Sequence, residues 1–334
     1  MLSVDGRWVW DFWFADDGET YHLYYLNAPE SLGDEALRHR NARIDHAVSE
    51  DLFTWTPLGA VLTSAGGDAD DSHACWTGCV VSHDGLSTMF YTGSRFLPDV
   101  GPEANIETVL AADSSDLASW QRRHDIVVSA DARWYEGLGS SSWAEEAWRD
   151  PWVQRDGDRW VMYITARANH GEIDDRGVMG YAVSQDLQTW NVQPPLSEPG
   201  SGFAHLEVPQ LIEIGGKWIL MFSCPTSALS RQRQADGGIG GIWTMPVEGP
   251  GMPFDASHAR LLHDDSLYSG RVVFNRQHEP QLLGFYAGVG EQFVGVISDP
   301  MPLTVTSDGY LIIAADLGAA PIPGDSEPHK EESP

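Results

Sequence analysis

Three acidic residues stand where apolar, tryptophan-rich segments begin: Asp11 in Val9-Trp10-Asp11, Asp150 in Trp148-Arg149-Asp150-Pro151-Trp152, and Glu207 in Glu207-Val208-Pro209. The middle segment sets a guanidinium and a carboxylate between two indoles, and charges beside large apolar surfaces are costly unless paired or used. Taken alone, Arg-Asp-Pro also reads as a turn opener with a surface ion pair worth little. Three such acids brought together are a different matter. Carboxyl groups held close and partly desolvated push one another's pKa values apart, leaving one ionised and one protonated at neutral pH. Cleavage of a glycosidic bond requires that combination: a carboxylate to attack or act as base, and a carboxylic acid to protonate the leaving oxygen.

A sequence repeat supplies the elements that position them. Residues 7–14 alternate, turn at Asp17-Gly18, and run on into Tyr21-His22-Leu23-Tyr24-Tyr25-Leu26, a strand, a tight turn and a second strand. The same order returns at Cys75 with a turn at Asp84-Gly85, at Arg149 with Asp156-Gly157, at Glu207 with Gly215-Gly216, and at Ser269 with His278-Glu279. A third strand follows each pair, and the first three end in Ser-x-Asp-Leu-x-x-Trp, at 49–55, 114–120 and 184–190. The turn markers Gly18, Gly85, Gly157, Gly216 and Glu279 fall 67, 72, 59 and 63 residues apart.

Five copies of a strand meander at a near-constant period predict an all-β, five-bladed β-propeller, a single domain over residues 1–317. A long β-sandwich is the competing reading, but it has no need of the shared Ser-x-Asp-Leu-x-x-Trp ending. The fifth blade ends near Ala315, which leaves no length for a C-terminal β-sandwich, and the Pro-, Gly- and Glu-rich stretch 318–334 reads as a disordered acidic tail. Innermost strands of a propeller converge on one axis. Asp11, Asp150 and Glu207 are therefore expected at one funnel mouth, with the loops 125–148 and 226–240 over or beside it.

Composition narrows the partners. With 49 Asp+Glu against 20 Lys+Arg the formal net charge is −29, a surface that repels nucleic acid and anionic membrane. A small carbohydrate is the expected partner. Lys217 and Lys330 are the only lysines, a bias that fits either adaptation to high salt or an acidic protein from a GC-rich genome. The three cysteines lack metal-type spacing, and Cys75 and Cys79 on one strand would lie roughly 13 Å apart, too far for a disulfide. A sparse, odd count and a start without a basic region and apolar run lead to the expectation of a soluble, cytoplasmic protein. His46, His73 and His205 are scattered without ligand spacing and read as hydrogen-bonded structural residues, so neither a metal nor a cofactor is expected. Trp10, Trp13, Trp76, Trp143, Trp148 and Trp152 lie near the strand starts, where an indole either stacks on a sugar ring or packs between blades.

In their order, these motifs resemble those of the five-bladed furanosidase clan. That clan joins the invertase and levanase family (glycoside hydrolase family 32), the levansucrase family (family 68) and, more distantly, arabinofuranosidase and xylosidase families. The resemblance covers roughly residues 8–225. Val9-Trp10-Asp11 is similar to the levansucrase Trp-Asp motif and occupies the slot of the invertase Asn-Asp-Pro-Asn-Gly motif, which implies Asp11 as nucleophile and Trp10 beside the sugar. His46-Ala47-Val48-Ser49 through Trp55 resembles an invertase segment. Cys75-Trp76-Thr77-Gly78 is similar to the Cys-Phe/Trp-Ser-Gly stretch, implying that Trp76 and Thr77 line the fructosyl pocket. Arg149-Asp150-Pro151 is the family's Arg-Asp-Pro, implying that Asp150, with Arg149, holds sugar hydroxyls and supports the transition state. Glu207-Val208-Pro209 falls where the family places its acid/base glutamate, and Tyr268 after Asp264 resembles an invertase Asp…Tyr element. Three departures stand out: Asn-Asp-Pro-Asn-Gly is missing, the invertase Glu-Cys is Glu207-Val208, and the arginine of the levansucrase Glu-Arg-Pro is absent.

The resemblance implies a retaining glycoside hydrolase cleaving β-fructofuranosyl linkages of sucrose or short fructooligosaccharides through a fructosyl-enzyme intermediate. The alternatives are an inverting arabinofuranosidase- or xylosidase-like hydrolase, a fructosyltransferase, and a non-catalytic sugar-binding propeller.

Overall fold

Five antiparallel meanders account for nearly all the strands in the computed structural model, which describes residues 1–289 and 292–314. The region 318–334, expected as a tail, lies outside the described residues. Blade one comprises Arg7–Asp16, Tyr21–Pro29, Arg43–Ser49 and Thr56–Leu62, and blade two Ala74–His83, Leu86–Phe96, Asn105–Ser114 and Gln121–Val128. Blade three runs Trp148–Asp156, Arg159–Arg167, Gly177–Ser184 and Asn191–Gln193, and blade four Glu207–Ile214, Lys217–Cys224, Gly241–Val247 and Arg260–Asp264. In blade five, Leu267–Phe274 pairs with Pro280–Val289, whose two halves pair with Gln292–Ile297 and Met301–Val305, and Leu311–Ile313 closes the sheet. The inner strands touch in a ring, blade five returning to blade one. Leu2 pairs with Ile297 through two backbone hydrogen bonds of 3.0 Å, so the residues ahead of blade one staple blade five.

The repeated Ser-x-Asp-Leu-x-x-Trp ending is a turn that satisfies its own backbone. Ser49 Oγ accepts from the amides of Asp51 and Leu52 (3.2 and 2.9 Å), and Asp51 Oδ1 from those of Phe53 and Thr54 (2.8 and 2.7 Å). Leu52 takes a left-handed φ of 68°, and the Trp55 indole N–H donates back to its carbonyl at 3.0 Å. The serine and aspartate bonds recur at Ser114/Asp116 and Ser184/Asp186, with Leu117 and Leu187 left-handed at 58° and 63°. Short polar side chains that bond their own backbone make such turns, which explains why one motif links the third strand to the fourth in three blades. The apolar residues form clusters between adjacent blades rather than one central core, because a propeller's axis is a channel. Trp13 and Trp148 are fully buried there, so of the candidate tryptophans these two pack the blades.

One irregularity is common to all five inner strands. Each carries a single extra residue relative to its neighbour, at the step from Trp10 to Phe12, Trp76 to Gly78, Arg149 to Trp152, Glu207 to Gln210 and Tyr268 to Arg271. A bulge breaks the two-residue alternation of a strand and re-aims side chains. Asp150, Val208 and Ser269 sit in the bulges at φ of 59°, 52° and 49°, which is uncommon for any non-glycine residue and a genuine outlier for a β-branched one. The space is tight: a Cβ on Gly78 would meet the Phe90 carbonyl oxygen at 2.1 Å.

Candidate active site

The bulges define two rings around the axis. Just before each bulge stand Trp10, Trp76, Arg149, Glu207 and Tyr268; at the next position stand Asp11, Thr77, Asp150, Val208 and Ser269. All eight residues singled out in the sequence belong to these rings, and all eight line one funnel of about 960 Å³. The acids are not register equivalents, however. Asp11 and Asp150 occupy bulges, Asp11 deep within its strand, whereas Glu207 opens its strand one place earlier.

Consecutive residues of blade five hold two of the carboxyls: Tyr268 OH donates to Glu207 Oε2, and Ser269 Oγ donates to Asp11 Oδ1. Thr77 Oγ1 donates to Asp11 Oδ2 at 2.6 Å. Asp150 Oδ2 accepts from Thr165 Oγ1 at 2.8 Å and from the Val208 amide at 3.1 Å, and the Asp150 amide donates to Thr92 Oγ1 at 2.9 Å. The left-handed Val208 thus turns its N–H onto the neighbouring blade's carboxylate. Arg149 reaches Glu207 at 2.7 Å through Nη2 and Glu107 at 3.1 Å through Nη1; Glu145 lies at 3.3 Å, and its own neighbour Asp150 at 3.8 Å.

One guanidinium facing four carboxylates neutralises only part of their charge, so the cluster keeps protons that an exposed group would shed. Burial pushes the Asp150 carboxyl up to about 7, against the opposing pull of Arg149, with Asp11 and Glu207 adding to the rise. Burial also raises Asp11, while its Ser269 and Thr77 hydroxyl bonds and Arg271 work the other way. The Tyr268 hydroxyl is raised by burial and by Glu207 beside it, which keeps it a donor.

Several neighbours of the candidate site were not foreseen. His205, read as structural, lines the funnel with Nδ1 3.7 Å from Glu207 and Nε2 3.7 Å from Glu145, its ring set edge-on to Trp143; burial and Arg149 keep it neutral. Its adjacency to the Glu207 strand was the available signal. The loop expected from residue 125 starts later, since Gln121–Val128 is a strand, but its far end delivers Glu145 to the wall, and Ala228 comes from the second expected loop. A further wall, the 3₁₀ turn Glu35–Asn41 between the second and third strands of blade one, had no signal. It lays Arg38 over Phe293 at 4.2 Å and receives the Trp76 indole N–H on the His39 carbonyl at 2.7 Å. This wall covers the indoles, leaving Trp10 only 3% and Trp76 8% exposed, so they form the funnel's flank more than an open stacking platform.

The fold is a five-bladed propeller whose axial funnel gathers three acids and an arginine. Residues 13–288 match the family described as glycosyl hydrolases family 32 N-terminal domain, and the chain belongs to that family. It is 28% identical over 212 residues to a sucrose-6-phosphate hydrolase of Zymomonas mobilis, covering 61% of this chain and 38% of that protein. To a sucrose-6-phosphate hydrolase of Escherichia coli it is 27% identical over 255 residues, covering 73% of this chain and 48% of that one. The chain thus spans less than half the length of both relatives. Among solved structures, an inulosucrase from Halalkalicoccus jeotgali bound to kestose superposes with a TM-score of 0.70 at 19% identity, covering 98% of this chain and 93% of that one. Among the described residues no helix is long and apolar enough to cross a membrane.

Proposed function

We propose that the protein is a retaining β-fructofuranosidase that hydrolyses sucrose or short fructooligosaccharides. The observation that carries this reading is the pair of hydrogen bonds from Tyr268 and Ser269, which places the Glu207 and Asp11 carboxyls against neighbouring residues of one strand, within one funnel. Asp11, oriented by two hydroxyls and without an arginine ion pair among the described residues, attacks the anomeric carbon as the bond to the leaving oxygen breaks. Glu207 gives its proton to that oxygen, then takes one from the water that cleaves the fructosyl ester. Asp150 keeps Oδ2 on Thr165 and Val208, which leaves Oδ1 to accept from a ring hydroxyl; Arg149 steadies Glu207 and the sugar side of the cluster. The three cysteines are free and buried, in keeping with a reducing, cytoplasmic setting.

The test is the pair Asp11→Ala and Glu207→Gln. Both variants are expected to keep the wild-type melting temperature and lose at least about a hundredfold in kcat on sucrose. Mass spectrometry of Glu207→Gln quenched during turnover of a fructosyl fluoride, whose leaving group needs no proton, should find a fructosyl ester on the Asp11 peptide. Near-wild-type turnover in either variant sinks the assignment, and an unmodified Asp11 peptide with inverted product sinks retention.

A phosphorylated sucrose is the second reading. Arg40 stands on the funnel wall over the Phe96 ring at 4.6 Å, and among the described residues no carboxylate pairs with it, in a chain with 49 acids to choose from. A free guanidinium in a substrate funnel suits a phosphate oxygen pair. If so, Arg40→Ala lowers kcat/KM on sucrose 6-phosphate at least about tenfold while sucrose is little affected. Equal loss on both substrates rejects this reading.

A further inference from the structure

The register position that follows the bulge holds Phe12, Gly78, Trp152 and Gln210 in blades one to four, and Arg271 in blade five. Arg271 is 1% exposed and makes no ion pair among the described residues. Its Nη1 donates to the carbonyls of Val208 and Pro209 at 3.1 and 2.7 Å, and its Nε to the carbonyl of Phe12 at 3.2 Å. Those carbonyls belong to the bulge after Glu207 and to the residue after Asp11. Nη2 has no partner, and the Trp152 ring lies 5.4 Å away. One side chain from blade five thereby grips blades one and four at the two points that aim the proposed acid/base and nucleophile.

We propose that Arg271 is a positioning residue for the hydrolysis proposed above: its fork fixes the spacing of Asp11 and Glu207, and its uncompensated charge favours the ionised form of Asp11. Among the described residues the titratable groups facing Asp11 are Asp150, Glu207, the Tyr268 hydroxyl, Arg38 and Arg271, and two of these are cationic. Arg38 sits on the wall against Phe293, whereas Arg271 lies at the axis. Facing Arg271 are Asp150, Asp11 and the Cys79 thiol. A buried guanidinium without a carboxylate at contact distance gives up no charge to a pair, and low local polarizability extends its field to both acids. The rigid planar fork can hold three carbonyls on two strands, which a single ammonium cannot.

The experiment compares Arg271→Lys and Arg271→Met with wild type on sucrose, each first checked for a cooperative melt. Arg271→Lys keeps the charge and loses the fork: kcat should fall about tenfold with KM within threefold, and the acid limb of the kcat/KM profile should stay in place. Arg271→Met loses both: kcat should fall more than about a hundredfold and the acid limb should move up by about one pH unit, because a lost cation leaves Asp11 easier to protonate. Folded variants with kcat within threefold of wild type overturn the proposal, as does a kcat loss matched by an equal rise in KM, or an unmoved acid limb in the methionine variant. If the methionine variant does not melt cooperatively, the lysine variant decides alone. Absence of turnover in the wild type itself would instead reject the hydrolase reading on which this proposal rests.

Discussion

Glu107 is fully buried, and its two oxygens accept from Arg149 at 3.1 Å while Oε2 also takes the Trp148 amide at 2.8 Å. It anchors the far side of the guanidinium whose near side holds Glu207. Burial, with Glu145 close by, pushes its pKa up to about 8 even against Arg149. An unfolded glutamate titrates near 4.3, so the folded chain holds a proton that the unfolded chain has released between these values. A group raised in this way stabilises fully below about pH 4.3, and its contribution is lost as the pH climbs towards about 8. Glu107→Gln keeps both acceptor and shape but cannot ionise. Its melting temperature should therefore fall less steeply than that of wild type between pH 5 and 8, by a few degrees over the range. Parallel melting curves would mean that Glu107 does not titrate there.

At the scale of the strand, the bulge decides what reaches the funnel, and Gly78 shows how little room it leaves. Gly78→Ala drives a Cβ into the Phe90 carbonyl, 2.1 Å away, and backbone cannot rotate aside as a side chain would. The expected cost is about 1–3 kcal/mol, with a larger loss in kcat because Thr77, one residue earlier, orients Asp11. A lower melting temperature with unchanged kcat would separate the bulge from catalysis. The same device marks the limit of what could be read from the sequence. Strand runs, hairpin turns and the Ser-x-Asp-Leu-x-x-Trp endings announce five blades, and the residues just before and in the bulges include every candidate named for the site. The bulge itself is invisible, since an extra residue looks like continued strand, and a left-handed Val208 contradicts its own preferences. Ser269 and Glu107 were missed because their partners, Asp11 and Arg149, are brought close only by the ring, and the wall 35–41 because its contact with Phe293 spans the closure between blades one and five.

For the molecule as a whole, the unresolved balance is between arginine ion pairs and self-repulsion. Pairs such as Arg123–Asp113 and Arg276–Asp16, both at 2.7 Å, weaken when salt is added, but surface pairs are each worth only about 0–1 kcal/mol. Against them stands a net charge of −29. Spread over the surface of a chain this size, such an excess puts like charges on the order of 20 Å apart, about two Debye lengths at 0.1 M salt and less than one at 0.01 M. Repulsion therefore outweighs the loss of pairs at low salt, and the melting temperature at pH 7.5 should rise with KCl from about 0.01 M. Screening is essentially complete by about 0.5 M, so the rise should flatten there if charge alone is at work. A climb that continues into molar KCl would favour the high-salt origin raised by the lysine-poor composition. At pH 5, where raised carboxyls such as Asp150 and Glu107 hold protons, the same titration should be shallower. A melting temperature that is flat or falling from 0.01 to 0.5 M at pH 7.5 would show that the arginine pairs, and not the acidic excess, govern how the ring responds to salt.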